Sequence, residues 1–383
     1  MKENDRLISK IQNLITTHHI LAICHCGSSW QQQFIAQLSE GGTVLDFADP
    51  MLRERALLQP EDVLDKSDGG LVIYNVQNVP EVLENLQLYG AKNCLLITRQ
   101  KYNLPTGIAD VELPVTYGDD EAFTMGDAQL EQMANIDVSA KHDIYDRILM
   151  GNLCDGSDHE AKLASYVKSF LQYDVKELTA VSDGMKFYKF MCYVASCTGS
   201  VVNYASLGKA ADVSSPTAKQ WLHYLEGAGI VALLPPLDGA GVKRLAKAPK
   251  MYFRDTGLAC YLLRIVSRED LLNSPLVNAL FETWAVMQIR EGYLQAGNEP
   301  QLSYYRDSNA KEICLLVRDG DILHPLEIKR EPVNMRRVQK KFTVFGDLLR
   351  GSDVHVGSGG VIGMFKEMQQ NESGLWLIPA SVL

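Results

Sequence analysis

Apolar residues recur first at helical spacing. Leu7, Ile8, Ile11, Leu14 and Ile15 fall on one side of a 3.6-residue period, which predicts an amphipathic helix over 6–17. The run HILAIC (19–24) then has the length and composition of a buried strand, followed by small and polar residues and a helical stretch over 30–38. Three more short apolar runs, TVLDF (43–47), LVIY (71–74) and CLLIT (94–98), alternate with helical stretches. That alternation predicts a mostly parallel sheet with helices on both faces. From about 126 to 183 the pattern is helical. Helices are then expected at 187–196, 204–213 and 216–227, the last with Ser215 as N-cap and Pro216 at its first position. A strand at 230–234, a Gly/basic turn and a partner strand at 251–253 complete a winged-helix order. Beyond it lie a helix over 276–289, strands at 303–305, 313–317 and 324–328, a helix over 334–349, and strands near 353–363 and 374–378.

Length and charge sharpen this picture. A chain of 383 residues corresponds to two or three domains. With 46% hydrophobic and 22% charged residues it can bury sizeable cores, which excludes a disordered or collagen-like chain. The net charge of −10 argues against coating nucleic acid through bulk charge. Residues 241–341 run the other way, with 17 Lys and Arg against 12 Asp and Glu. The eight cysteines have no CxxC pair and mostly sit in apolar runs, as reduced core thiols would. The start MKENDRLISK is charged with no apolar segment behind it, and no apolar stretch approaches the length of a membrane span. A cytoplasmic protein without a membrane partner is therefore expected.

The turn after HILAIC reads Cys24-His25-Cys26-Gly27-Ser28-Ser29-Trp30-Gln31. A phosphate-binding loop wraps phosphate with backbone N–H groups, adds a Lys for the β/γ oxygens and a hydroxyl for Mg²⁺. Here Trp30 stands at the Lys position, Gln31 at the hydroxyl position, and no Lys occurs in 11–65. By itself the turn reads equally as an ordinary strand-to-helix loop. His18 and His19 precede the strand while Cys24, His25 and Cys26 end it, so they do not converge on one zinc ion.

Together with TVLDFADPMLRERALLQPEDVLD (43–65), LVIYNVQNVPEVLENL (71–86) and NCLLITRQ (93–100), this turn resembles AAA-superfamily ATPases that carry a C-terminal domain of unknown function numbered 4143. The resemblance implies a Walker B strand ending in Asp-Glu. This sequence has Tyr74-Asn75 there, although Val76-Gln77-Asn78-Val79-Pro80 keeps the pattern that follows. Loss of the Lys, the hydroxyl and both carboxylates removes the parts that hold Mg²⁺ and polarise water. Gly27, Ser28 and Ser29 are thus the vestige of a nucleotide site.

The middle segment is similar to that family's helix-turn-helix. If its second helix reads DNA, it offers Lys219, Gln220 and His223, and the wing adds Lys243, Arg244, Lys247 and Lys250. Pro249-Lys250-Met251-Tyr252-Phe253-Arg254-Asp255-Thr256-Gly257-Leu258 resembles the family's signature, with Asp255 or Thr256 expected to cap a helix. Glu282 on a helix, then Cys314, then Glu327-Ile328-Lys329 on strands resemble the PD-(D/E)xK nuclease core. In that core an Asp and a Glu hold the metal and the Lys steadies water or phosphate. Cys314 takes the Asp position. A thiolate suits Mg²⁺ poorly, so Glu282, Glu327 and Lys329 are expected to be vestigial, with Glu327 and Lys329 as an ion pair.

These readings give an α/β chain: a P-loop-like parallel-sheet domain (1–125), a helical connector (126–185), a winged helix (186–253) and a nuclease-like mixed α/β domain (254–383). The expected function is that of a catalytically silent binding or regulatory module, with DNA or a protein as partner, as a monomer or dimer. No cofactor or metal is expected, ATP and Mg²⁺ being those the resemblance would otherwise imply. Two other classes stay open: an active ATPase or Mg²⁺-dependent nuclease using substitute residues, and a protein-interaction scaffold that never meets DNA.

Overall fold

The computed structural model describes residues 4–64, 70–88, 93–99, 101, 104–115, 123, 125, 130–131, 143–154, 156, 158–175, 183–238 and 247–383. It divides into two compact units. The first is built mainly from residues 1–121 with short segments 223–230 and 294–298, and the second contains the rest.

The first unit is a five-stranded parallel sheet, as the alternating runs predict. Its strands are β1 (Ile20–Cys24), β2 (Thr43–Asp46), β3 (Leu71–Tyr74), β4 (Cys94–Thr98) and β5 (Ala109–Glu112), in the order β2-β3-β4-β1-β5. The helices are α1 (Asn4–His18), α2 (Ser29–Leu38), α3 (Pro50–Leu58), α4 (Pro60–Leu64) and α5 (Val82–Leu88). Side chains of β1 alternate between two cores. Leu21 and Ile23 pack with Leu7 and Ile11 of α1 and Phe34 and Ile35 of α2, while Ile20 and Ala22 pack with Ala56, Val63, Val82 and Leu86 of α3–α5. Burial on both faces is why β1 and β4 read as unbroken apolar runs. From β1 the chain steps over β4 and β3 to β2, whereas from β4 it passes β1 to reach β5. The carboxyl ends of β1 and β4 therefore lie at a topological switch point, where open α/β sheets form their binding crevices.

The second unit begins with α6 (Ile144–Met150) and α7 (His159–Ser169). Next come α8 (Gly184–Ser196), β6 (Ser200–Val201), α9 (Tyr204–Ala211), α10 (Ser215–Gly227), β7 (Val231–Leu234) and β8 (Lys250–Phe253). The three strands form an antiparallel sheet in the order β6-β8-β7. Phe187 and Phe190 of α8 pack around Trp221 of α10, with ring centroids 5.1 and 5.4 Å apart. The expected cap of α10 shifts by one residue: Ser214, not Ser215, accepts the Thr217 N–H at 3.2 Å, because Ser215 is already helical.

Three helices, α11 (Thr256–Leu262), α12 (Arg268–Asn273) and α13 (Val277–Gln295), lead to β9 (Leu302–Arg306), β10 (Glu312–Asp319) and β11 (Ile322–Lys329). Then follow α14 (Met335–Leu348), β12 (His355–Val356), β13 (Gly360–Gly363), β14 (Gln369–Gln370) and β15 (Trp376–Pro379). The sheet order is β14-β15-β13-β11-β10-β9, with β12 also on β11. The meander β9–β11 is antiparallel and β11, β13 and β15 are parallel. This mixed sheet matches the expected C-terminal α/β architecture. Its β9 edge connects to the three-stranded sheet, where the Leu237 N–H donates to the Tyr304 carbonyl at 2.7 Å. Among the described residues no helix is long and apolar enough to cross a membrane.

Candidate functional site

Two arrangements stand where the sequence places chemistry. The first is the turn from β1 into α2. Gly27 has φ of +86°, a conformation that glycine adopts without strain, and the chain there folds back over the start of α2. The fully buried Gln31 then fills the turn from inside. Its side-chain oxygen accepts the backbone N–H groups of Cys26, Gly27 and Ser28 at 3.0, 3.0 and 3.1 Å. Its amide nitrogen donates to the carbonyls of Leu113 and Pro114 at 3.2 and 2.8 Å. In return Ser28 Oγ accepts the Gln31 N–H, closing a capping box. Three converging N–H groups at a helix N-terminus form an anion nest, and here a neutral amide oxygen occupies it.

Gly27 and Ser28 are thus at the turn as expected, but their donors are spent on Gln31. Ser29 opens α2, and its side chain lies outside the described residues. Trp30, at the Lys position, turns away to stack on Phe34 with centroids 4.9 Å apart. At the two positions where the resemblance implies carboxylates, Tyr74 bonds Ser39 Oγ at 3.2 Å and Asn75 donates to Asp46 at 2.7 Å. Beside the turn, burial and then the charge of Arg99 lower the His25 pKa to about 4, which keeps the ring neutral. A triphosphate needs free donors at this turn, and the N–H groups of Cys26, Gly27 and Ser28 are taken by Gln31, so the residues present do not fit ATP with Mg²⁺.

The second arrangement grows from β8. Lys250, Tyr252 and Arg254 are two apart, so they share one face of the extended chain, and that face meets α13. Lys250 Nζ donates to Glu282 Oε1 at 2.7 Å and to Glu312 Oε1 of β10 at 2.9 Å. Tyr252 donates its hydroxyl to the same Glu282 oxygen at 2.9 Å, and Arg254 pairs with the buried Glu291 at 2.9 Å. Asp255, buried, caps α11 through the Leu258 N–H at 2.6 Å and also accepts from the N–H groups of Asn152 and Leu153. The conspicuous signature is therefore a set of buried ties. Lys250, read from sequence as part of a basic wing, is instead a core cation with a side chain 3% exposed.

Cys314, Glu327 and Lys329 meet beside it. The β10–β11 register, Leu315 opposite Leu326, sets Cys314 next to Glu327, and a register shift against β9 between Ile313 and Leu316 kinks β10 there. Lys329 Nζ and Glu327 Oε2 each lie 3.6 Å from Cys314 Sγ. The expected Glu327–Lys329 pair is present at 3.7 Å, but the nearer cation is Lys341 of α14, 2.5 Å from Glu327 Oε1. Three carboxylates thus face three ammonium groups around one thiol. Burial first, then Glu282 and Glu327, push the Cys314 thiol well above its ordinary range. Burial would lower the Lys250 pKa, but Tyr252, Glu282, Cys314 and Glu312 outweigh it and hold the group above the usual lysine value. Glu282, Glu312 and Cys314 place their ligand atoms within 4.8 Å of one another. Mg²⁺ demands near-octahedral oxygen ligation, and a buried neutral thiol with an ammonium between the carboxylates does not fit it.

Of the remaining candidates, those among the described residues are not drawn into either arrangement. Lys219 and His223 lie exposed on α10, with His223 Nδ1 3.2 Å from Glu226 of the same helix. Lys247 is exposed just before β8. Lys243 and Arg244 lie outside the described residues. Sequence reasoning missed Lys341 and gave Gln31 only as a lost hydroxyl position. The Ser28-x-x-Gln31 capping-box spacing was the signal that could have found Gln31.

Comparison with known proteins places the C-terminal half of the second arrangement. Residues 277–382 match the model of DUF4143, a domain of unknown function, and residues 152–269 match DUF8612, another domain of unknown function. The uncharacterized protein Rv2008c of Mycobacterium tuberculosis and the uncharacterized protein Mb2031c of Mycobacterium bovis are each 31% identical over 173 residues. That stretch is 45% of this chain and 38% of each relative, so the chain spans about two fifths of the length of these curated relatives. The C-terminal region therefore carries a DUF4143 domain.

Proposed function

We propose that this chain is a catalytically silent relative of AAA-superfamily ATPases that works as a binding or regulatory module, with DNA as the ligand of its winged-helix segment. The observation that carries the reading is the Gln31 amide oxygen in the anion nest, bonded by the N–H groups of Cys26, Gly27 and Ser28. The AAA assignment is further supported by the parallel sheet with this turn at its switch point, and by the DUF4143 match at the C-terminus. The order helix, strand, two helices and two strands over 184–253 supports the winged helix. Exposed Lys219 and Lys247 would position phosphates there, without a base-reading role.

The test is fluorescence anisotropy of labelled duplex and single-stranded DNA at low salt, alongside ATP hydrolysis by the same preparation. The reading expects no turnover, and binding that weakens with salt. Lys219→Ala/Lys247→Ala should lower the salt slope by about 2, since each phosphate contact contributes about 0.9. Absence of binding to either DNA at low salt would refute the DNA ligand and leave a protein partner, whereas Mg²⁺-dependent turnover would refute the silent reading.

A further inference from the structure

The second arrangement is more than a metal site short of a carboxylate. We infer that the Lys250 ammonium is a built-in cation standing in the place of a divalent metal, and that the pocket of Glu282, Glu312 and Cys314 takes a thiophilic divalent cation once Lys250 is removed. The inference stands on the geometry of this pocket and does not depend on the nucleotide turn.

Four observations carry it. Lys250 Nζ bridges two carboxylates from different elements, Glu282 on α13 and Glu312 on β10, at 2.7 and 2.9 Å, as a coordinated ion would. It is enclosed rather than snorkelling, with the Tyr252 and Tyr304 rings 5.5 and 5.9 Å away. The ligand atoms of Glu282, Glu312 and Cys314 lie within 4.8 Å of one another, which small rotations bring into the range of bonds of about 2.0–2.3 Å to one ion. The cation arrives from β8, 32 residues before Glu282 and 62 before Glu312, so it joins the three-stranded sheet to the C-terminal core without any bound ion.

The donor set decides which cation could replace it. Two carboxylates and one thiol suit Zn²⁺ or Co²⁺, and the thiol would lose its proton to solvent as the metal–sulfur bond forms. Mg²⁺ would gain only two protein oxygens, beside a ligand it does not favour. Glu327 is committed elsewhere, because Lys341 Nζ lies 2.5 Å from its Oε1.

Co²⁺ titration of the full chain tests the inference, read by the cobalt–thiolate charge-transfer absorption. The wild-type chain should give no saturable band. Lys250→Ala should bind one equivalent, at least roughly a hundredfold more tightly than wild type, on the scale expected for removing a buried like charge. Lys250→Ala/Cys314→Ser should lose the band, and Mg²⁺ should not compete. A wild-type chain that forms the same band at the same cobalt concentration would overturn the inference, as would folded Lys250→Ala and Lys250→Gln chains that form none. If both variants are unfolded without metal, recovery of the folded far-UV spectrum in Zn²⁺ but not in Mg²⁺ supports the inference, and no recovery in Zn²⁺ overturns it.

Discussion

Replacing Gln31 with Ala removes one side chain that serves five main-chain groups at once. Three N–H groups lose the acceptor at 3.0–3.1 Å, and the carbonyls of Leu113 and Pro114 lose a donor at 3.2 and 2.8 Å. A buried group left unsatisfied costs about 1–3 kcal/mol. Water entering the vacated space will satisfy some of the five, so the net cost is about 3 kcal/mol, equivalent to about two lost partners. With two compact units in the chain, a global unfolding midpoint would average over both. Hydrogen exchange of a peptide covering 24–34 reads the loss locally. About 3 kcal/mol corresponds to exchange roughly a hundredfold faster at Cys26–Ser28. The vacated nest should also respond to anions: millimolar sulfate restores protection in Gln31→Ala and leaves the wild type unchanged. Exchange within threefold of wild type, with no sulfate response, would refute the argument that Gln31 holds the turn.

Further outcomes are expected elsewhere. Lys250→Met should destabilise the second unit by about 3 kcal/mol through the uncompensated carboxylates, and adding Glu282→Gln should restore part of that loss in urea unfolding; a double variant less stable by the plain sum would contradict the pairing. His25 titrates at about 4 when folded against 6.5 when unfolded, so the unfolded chain binds more protons in between. Stability should fall as pH drops from about 6.5 towards 4, by up to about 3 kcal/mol, and His25→Gln should flatten that slope in unfolding measured across the window. Gly257→Ala would set a Cβ 2.7 Å from the Met150 carbonyl carbon and should cost about 1–3 kcal/mol, visible as a lowered thermal midpoint. Cys314, buried and with its thiol pKa raised, should resist a thiol reagent at pH 8 in the folded chain and react after unfolding.

What the sequence made legible follows burial. Strands β1 and β4 are enclosed on both faces, and five consecutive apolar residues announce the first and four the second. By contrast, β5 buries only Val111 among Ala109–Glu112, and β6 has two residues, so neither leaves a periodic signal. The helix expected over 276–289 runs on to Gln295; the expectation stops short because the polar Arg290 and Glu291 interrupt the apolar pattern, although Glu291 is buried against Arg254. Glu282, Cys314, Glu327 and Lys329 were singled out by the resemblance to a nuclease core, and the apolar runs placed them on one helix and two strands. The cations that meet those groups were not. Lys250 looked like part of a basic wing, and nothing singled out Lys341, because pairing across tens of residues is set by tertiary packing. The amide oxygen in the nest was hidden differently, as Gln31 occupied a position examined only for a hydroxyl.

The central claim is that the anion nest between β1 and α2 is filled by the chain's own Gln31 side chain. Isothermal titration of the wild-type chain with ATP and Mg²⁺ tests it most directly. The account predicts no saturable heat up to millimolar ATP, and micromolar binding would contradict it.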